Sequence, residues 1–211
     1  MSSFDLSLYL VLDPDLCAGT GMVETTRAAV AGGATIVQLR DKDADTASRI
    51  ATGRALKMVL QGTGAKLIVN DDVEAAIAIG ADGIHIGQED MDARTARNLI
   101  GPDMILGLSV ETLALAEAVD PMLVDYVGIG PVFATPTKPD HKQPIGFDGL
   151  ARLVAVSPVP SVAIGGLKAE HTAAVLAAGA QGLAVVSAIC GTPDPETATL
   201  RIAEEIRKAR S

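Results

Sequence analysis

Apolar, β-branched runs of strand length alternate with longer stretches of helical period from one end of the chain to the other. The runs occupy residues 6–13, 35–42, 66–71, 83–87, 104–110, 125–131, 161–166 and 182–189. Between them lie amphipathic or Ala-rich segments such as 24–31, 46–60, 93–100, 113–119, 170–178 and 196–208. Strands joined by helix-length crossovers pair in parallel, because a tight hairpin can only reach an antiparallel neighbour, and the helices then cover the outside of the sheet. Eight such runs favour closure into a single (β/α)8 barrel over residues 1–211, rather than an open doubly wound sheet. A weak internal repeat agrees. Ala31-Gly32-Gly33-Ala34, Ala78-Ile79-Gly80-Ala81 and Ala177-Ala178-Gly179-Ala180 each end a helix on glycine, which tolerates left-handed backbone, and each leads into a strand. The longest irregular stretch is 131–145, and a loop of that length in a compact fold is functional or mobile more often than decorative.

Composition narrows the functional classes. The 211 residues carry 17 Lys and Arg against 26 Asp and Glu, a formal charge of −9. With no Trp, two Tyr and three Phe, the chain has neither the basic groove nor the aromatic platforms of a nucleic-acid binder. Cys17 and Cys190 are too few for a disulfide framework and are not spaced as a metal knuckle. They read either as buried small apolar side chains or as reactive thiols, in a reducing compartment. The N-terminal residues lack a basic segment, and the apolar run 8–12 is too short for a signal core or for a span of about 20 residues. The expectation is a cytoplasmic protein bound to neither membrane nor nucleic acid.

In such a barrel the active site forms at the carboxyl ends of the strands, so polar residues there carry the information. The second run reads Thr35-Ile36-Val37-Gln38-Leu39-Arg40-Asp41-Lys42, and its period of two puts Gln38, Arg40 and Lys42 on one face, with Val37 and Leu39 on the other. If the apolar pair meets the helices, the polar trio faces the barrel axis, where an Arg needs either an anionic ligand or a structural carboxylate. The third run ends in Asn70-Asp71, and the fourth is followed by Gly87-Gln88-Glu89-Asp90. Carboxylates on adjacent strand ends suit Mg2+, which takes a few protein oxygens and shares substrate phosphates, but they also suit solvated caps. Asp72, Glu89 and Asp92 read as helix-start or surface charges. His85 is a hydrogen-bonded barrel histidine or a catalytic base, His171 is expected to be exposed on an outer helix, and His141 is a candidate substrate contact in the long loop. Ser109 ends the fifth run, and Thr135, Thr137 and Lys138 sit in the loop after the sixth, where turn chemistry competes with anion binding. Gly165-Gly166 after the seventh run, with Val186-Ser187 closing the eighth, fits a recurrent backbone phosphate cradle.

Taken in order, Gln38-Leu39-Arg40-Asp41-Lys42, Asn70-Asp71, the run from Gly80 to Asp90, Gly107-Leu108-Ser109, the run from Asp125 to Lys138, Ala163-Ile164-Gly165-Gly166 and Val185-Val186-Ser187 resemble the thiamine phosphate synthase family over nearly the whole chain. The resemblance implies a homo-oligomeric (β/α)8 transferase. It would join 4-amino-2-methyl-5-(diphosphooxymethyl)pyrimidine to a carboxylated thiazole phosphate and release pyrophosphate. It further implies that Gln38, Leu39, Arg40, Asp41, Lys42, Asn70, Ser109 and Lys138 bind the pyrimidine diphosphate. Thr135, Pro136, Thr137, Gly166, Val186 and Ser187 would bind the thiazole phosphate. Asp71 and Asp90 would hold Mg2+, and Arg40, Lys42, Lys138 and Ser109 would be the catalytic set. Thiazole tautomerases share the fold but are expected to lack the full cation and diphosphate set that this chain retains. One departure is Glu111, which stands where many members have His.

Overall fold

A computed structural model describes residues 4–135 and 142–211. Eight strands, β1 (Leu8–Val11), β2 (Ile36–Leu39), β3 (Lys66–Asn70), β4 (Gly83–Ile86), β5 (Ile105–Val110), β6 (Tyr126–Ile129), β7 (Ser161–Ile164) and β8 (Gly182–Val185), pair in parallel and in chain order. The sheet closes through β1 and β8, with Tyr9 opposite Ala184. The helices are α1 (Met22–Ala31), α2 (Thr46–Leu60), α3 (Val73–Ile79), α4 (Ala93–Ile100), α5 (Leu113–Glu117), α6 (Gly146–Val156), α7 (Thr172–Ala177) and α8 (Pro195–Arg210). None is long and apolar enough to cross a membrane.

Strand period explains how strands of four to six residues build two cores. Leu8, Leu10, Val37, Leu39, Leu67, Val69, Ile84 and Ile86 point outward into one cluster with the helices. Tyr9, Val11, Ile36, Ile68, Tyr126, Val162 and Ala184 point inward into a second, smaller one. Helix starts follow the expected side-chain chemistry. Asp72 Oδ1 accepts from Ala75 N at 2.9 Å and Asp92 Oδ1 from Thr95 N at 3.0 Å, so both are caps as read from the sequence.

Two helices carry a weaker sequence signal than the segments picked out by their period. α3 has only seven residues, and α6 opens on Gly146 at φ 63° and carries a second glycine at 149. Glycine is a poor helix former, so tertiary packing of Leu150 and Leu153 decides the second case. The strand expected over 35–42 stops at Leu39. Beyond it Arg49 Nε donates to Asp41 O at 2.8 Å and Arg49 Nη1 reaches Asp72 Oδ2 at 2.9 Å, which turns the chain toward α2.

Candidate active site

A cavity of about 190 Å3 opens at the carboxyl ends of the strands. Its wall gathers Gln38, Arg40, Lys42, Asn70, Asp71, Asp90, Ser109, Thr135, Gly166, Val186 and Ser187 from seven different strand ends. Period two in the second run therefore holds: Gln38 is buried toward the axis, and Arg40 and Lys42 follow on the same side just past the strand. Leu39 and Asp41 do not join them. Leu39 faces the helices in the outer core, and Asp41 Oδ1 accepts from Ala44 N at 3.1 Å in the turn to α2. Pro136, Thr137, Lys138 and His141 lie outside the described residues.

Asp71 is the one residue other than glycine with positive φ among the described residues, at 61°. That left-handed backbone is unfavourable for a side chain with a Cβ, although Asp tolerates it better than most, and it occurs where the carboxylate meets Asp90. Burial, then the hydrogen bond and negative charge of Asp90, push the Asp71 carboxyl up to about 6; Lys42 and Asn70 act in the opposite direction. Asp90 is itself anchored, its Oδ2 accepting from Gly87 N at 2.8 Å. Two carboxylates held this close resist joint ionisation unless a proton or a cation lies between them. Among the described lining residues two cations, Arg40 and Lys42, face three carboxylates, Asp71, Asp90 and Glu111. A polyanionic ligand therefore needs additional positive charge at this mouth. No group of three or more His, Cys, Asp and Glu suited to a metal occurs among the described residues, so a cation here would draw its other oxygens from ligand or water. This is the habit of Mg2+, and the donor set fits it.

Across the cavity, Gly165 (φ 103°) and Gly166 (φ 63°) turn away from β7. A Cβ on Gly166 would lie 2.8 Å from both Ala134 O and Phe133 Cβ, so glycine is what lets the cradle pass under the foot of the long loop. That foot is pinned to the cradle: Val132 N donates to Ile164 O at 2.9 Å and Phe133 N to Gly165 O at 3.0 Å. Glu89 is exposed and lies 3.7 Å from Lys142, consistent with a surface charge.

Three histidine and cysteine readings resolve differently. His85 is the hydrogen-bonded barrel histidine of the sequence reading, with Nδ1 3.0 Å from Tyr126 Oη and Nε2 2.9 Å from Ser109 Oγ. Burial pushes its pKa down to about 4, so the ring is neutral at pH 7. His171, expected to be exposed, is instead partly buried: its ring packs against Phe133, tilted by 46° with centroids 4.9 Å apart, and lies 6.1 Å from Phe147. The loop foot and α6 supply this packing, which helix period alone does not reveal. Cys17 and Cys190 are both buried free thiols.

Sequence reasoning missed Tyr9, which lines the cavity, and Tyr126, which is buried behind it against Tyr9 and His85. Their hydroxyls are 2.8 Å apart, and both phenols are pushed well above their ordinary range, chiefly by burial. The available signal was that the only two tyrosines sit at inward positions of strands otherwise filled by aliphatic residues.

The family model described as thiamine monophosphate synthase matches residues 8–189, which span every strand and all but the last helix. The chain belongs to that family. Among curated members, the thiamine-phosphate synthase of Azorhizobium caulinodans is 49% identical over 207 residues, covering 98% of each chain. That of Xanthobacter autotrophicus is likewise 49% identical, with 98% of each chain covered. A solved thiamine phosphate pyrophosphorylase from Pyrococcus furiosus superimposes with TM-score 0.88 at 35% identity, covering 98% of both chains. A solved 3-hexulose-6-phosphate synthase superimposes at TM-score 0.63 and 19% identity, a likeness of fold alone.

Proposed function

We propose that this chain joins 4-amino-2-methyl-5-(diphosphooxymethyl)pyrimidine to a carboxylated thiazole phosphate, yielding thiamine phosphate, pyrophosphate and CO2. The observation that carries the reading is the convergence of Arg40, Lys42, Asn70 and the Asp71–Asp90 pair on one wall of a cavity whose opposite wall is the Gly166, Val186 and Ser187 cradle. Opposed sites for two phosphorylated ligands are what a condensation requires, and holding both converts a bimolecular step into a unimolecular one.

The pyrimidine diphosphate lies along Gln38, Arg40, Lys42, Asn70 and Ser109, with Lys138 added from the long loop. Thr135, Pro136, Thr137, Gly166, Val186 and Ser187 hold the thiazole phosphate. Asp71 and Asp90 would hold Mg2+, which when bound neutralises charge on the diphosphate as it leaves. Arg40, Lys42 and Lys138 stabilise the same developing charge. The bond from the methylene carbon to the diphosphate oxygen breaks with its electron pair going to pyrophosphate. The electron-rich aminopyrimidine carries the resulting carbocation, and the thiazole nitrogen attacks it from the facing wall. No protein nucleophile is needed. Loss of the thiazole carboxylate as CO2 leaves its electron pair on the ring, and uptake of one proton from solvent gives the aromatic thiazolium.

The test combines the full chain with both substrates, with Mg2+ or with EDTA, and measures thiamine phosphate and pyrophosphate. Equal, Mg2+-dependent amounts of the two are expected. Binding of both substrates without product would reduce the protein to a carrier of thiamine precursors.

A further inference from the structure

Four hydrogen bonds run end to end under the cavity and join five strands. Gln38 Nε2 on β2 donates to Tyr9 Oη on β1 at 2.8 Å. The Tyr9 and Tyr126 hydroxyls are 2.8 Å apart, Tyr126 Oη lies 3.0 Å from His85 Nδ1 on β4, and His85 Nε2 lies 2.9 Å from Ser109 Oγ on β5. Strand composition makes room for this chain. A Cβ at Gly107 would stand 2.4 Å from Tyr126 Oη and 2.5 Å from His85 Nδ1, and one at Gly128 would stand 3.1 Å from His85 Cε1. Glycine at the two inward positions beside His85 is thus the condition for ring and hydroxyls to meet.

The chain has a direction, because each hydroxyl has one hydrogen to give. The Gln38 amide is a donor into Tyr9 Oη, and the arrangement that leaves no buried hydroxyl hydrogen without an acceptor passes the Tyr9 hydrogen to Tyr126 Oη and the Tyr126 hydrogen to His85 Nδ1. A neutral imidazole that accepts at Nδ1 carries its proton at Nε2, and the partner of one ring nitrogen sets the state of the other. Nε2–H therefore donates to Ser109 Oγ, and the hydroxyl hydrogen of Ser109, which lines the cavity, is left for a ligand. Hydrogen bonds in series in a buried site polarise one another, which reinforces the direction.

We propose that this relay fixes His85 as the Nε2–H tautomer and so makes Ser109 a hydrogen-bond donor, not an acceptor, toward the bound pyrimidine diphosphate. His85, Tyr126 and Tyr9 are then positioning residues that act through Ser109 on an acceptor atom of that ligand. The identity of the ligand rests on the proposed function; the tautomer does not.

The experiment has two arms on the full chain. Nitrogen-15 NMR of the free protein, with His85 assigned through His85→Asn, is expected to show Nε2 protonated and Nδ1 bare, and Tyr126→Phe is expected to mix the tautomers. In turnover, Tyr126→Phe should lower kcat/KM for the pyrimidine diphosphate about 10-fold while the KM for the thiazole phosphate stays within about twofold. In the Ser109→Ala background the same change should cost nothing further, since the donor it orients is already gone. If thermal melting shows Tyr126→Phe unfolded, the nitrogen-15 spectrum of the wild-type protein decides the tautomer by itself. A Nδ1–H tautomer in the wild-type protein, or losses that multiply in the double variant, would overturn the inference. If the wild-type chain makes no thiamine phosphate, the proposed function fails, and the NMR arm still decides the tautomer.

Discussion

The two ends of the barrel use charge in opposite ways. At the amino ends of the strands charged groups close on one another. Arg97 donates to Leu123 O (2.9 Å), Gly101 O (2.8 Å), Met104 O (2.7 Å) and Asp125 Oδ2 (2.6 Å), and Asp125 Oδ2 also accepts from Leu106 N (2.8 Å). Asp82 is engaged in the same manner by Lys66 and by Leu67 N. At the carboxyl ends Asp71 and Asp90 press two like charges together, and Arg40 and Lys42 line the cavity without forming an ion pair among the described residues. Closed networks stabilise the fold; groups left in need of a partner are kept for a ligand.

The sharpest way to break this contrast is Asp71→Asn, which retains the left-handed backbone and removes one of the two charges. Turnover is expected to fall about 100-fold or more, while the melting temperature of the cation-free protein stays level or rises. A lower melting temperature with intact turnover would reverse the assignment of that end. Arg97→Met at the other end should do the opposite. Leaving Asp125 and three carbonyls without their donor should cost about 3 kcal/mol in urea unfolding, with kcat of the folded fraction unchanged. Arg40→Ala is expected to reduce kcat by about 10-fold to 100-fold, with stability within about 0.5 kcal/mol and little change in thiazole phosphate affinity. Unchanged turnover at saturating substrates and Mg2+ would remove Arg40 from the reaction.

The last comparison concerns pH. His85 has its folded pKa lowered to about 4 from 6.5, so its contribution to stability is complete above 6.5 and is lost as pH falls toward 4, up to about 3 kcal/mol. Asp71 opposes it. Its folded pKa is raised to about 6, so the folded state holds the extra proton and stability of the cation-free protein decreases as pH rises from the ordinary carboxylate range toward 6. A divalent cation that binds the ionised pair should cancel the Asp71 effect and leave the acid-side loss due to His85 exposed. Urea midpoints between pH 4 and 7, with Mg2+ and with EDTA, measure this directly. Identical curves would argue against a cation at the pair.

Legibility from sequence differed with the kind of interaction. The eight strands and their two faces were readable because side-chain alternation is a local property: Val37 and Leu39 outward and Gln38 inward follow from backbone geometry alone. The positions of Arg40, Asn70, Asp71, Asp90, Ser109 and Gly166 at strand ends were readable for the same reason, once the barrel was inferred. The departures all involve partners distant in the chain. His171 is covered by Phe133 from the foot of the long loop and by Phe147 of α6. α6 depends on core packing to overcome its two glycines.

By itself, then, the sequence determined the alternation of strands and helices, the face on which each strand residue lies, and the chemistry gathered at the strand ends. Those follow from periodicity and from the cost of placing charge where nothing pairs with it. Only the closed barrel decided that Asp71 meets Asp90, that two cations face three carboxylates, and that Gln38, Tyr9, Tyr126, His85 and Ser109 form one directed relay. These are contacts across strands as much as 117 residues apart, and no local pattern specifies which side chains closure will bring within hydrogen-bond reach.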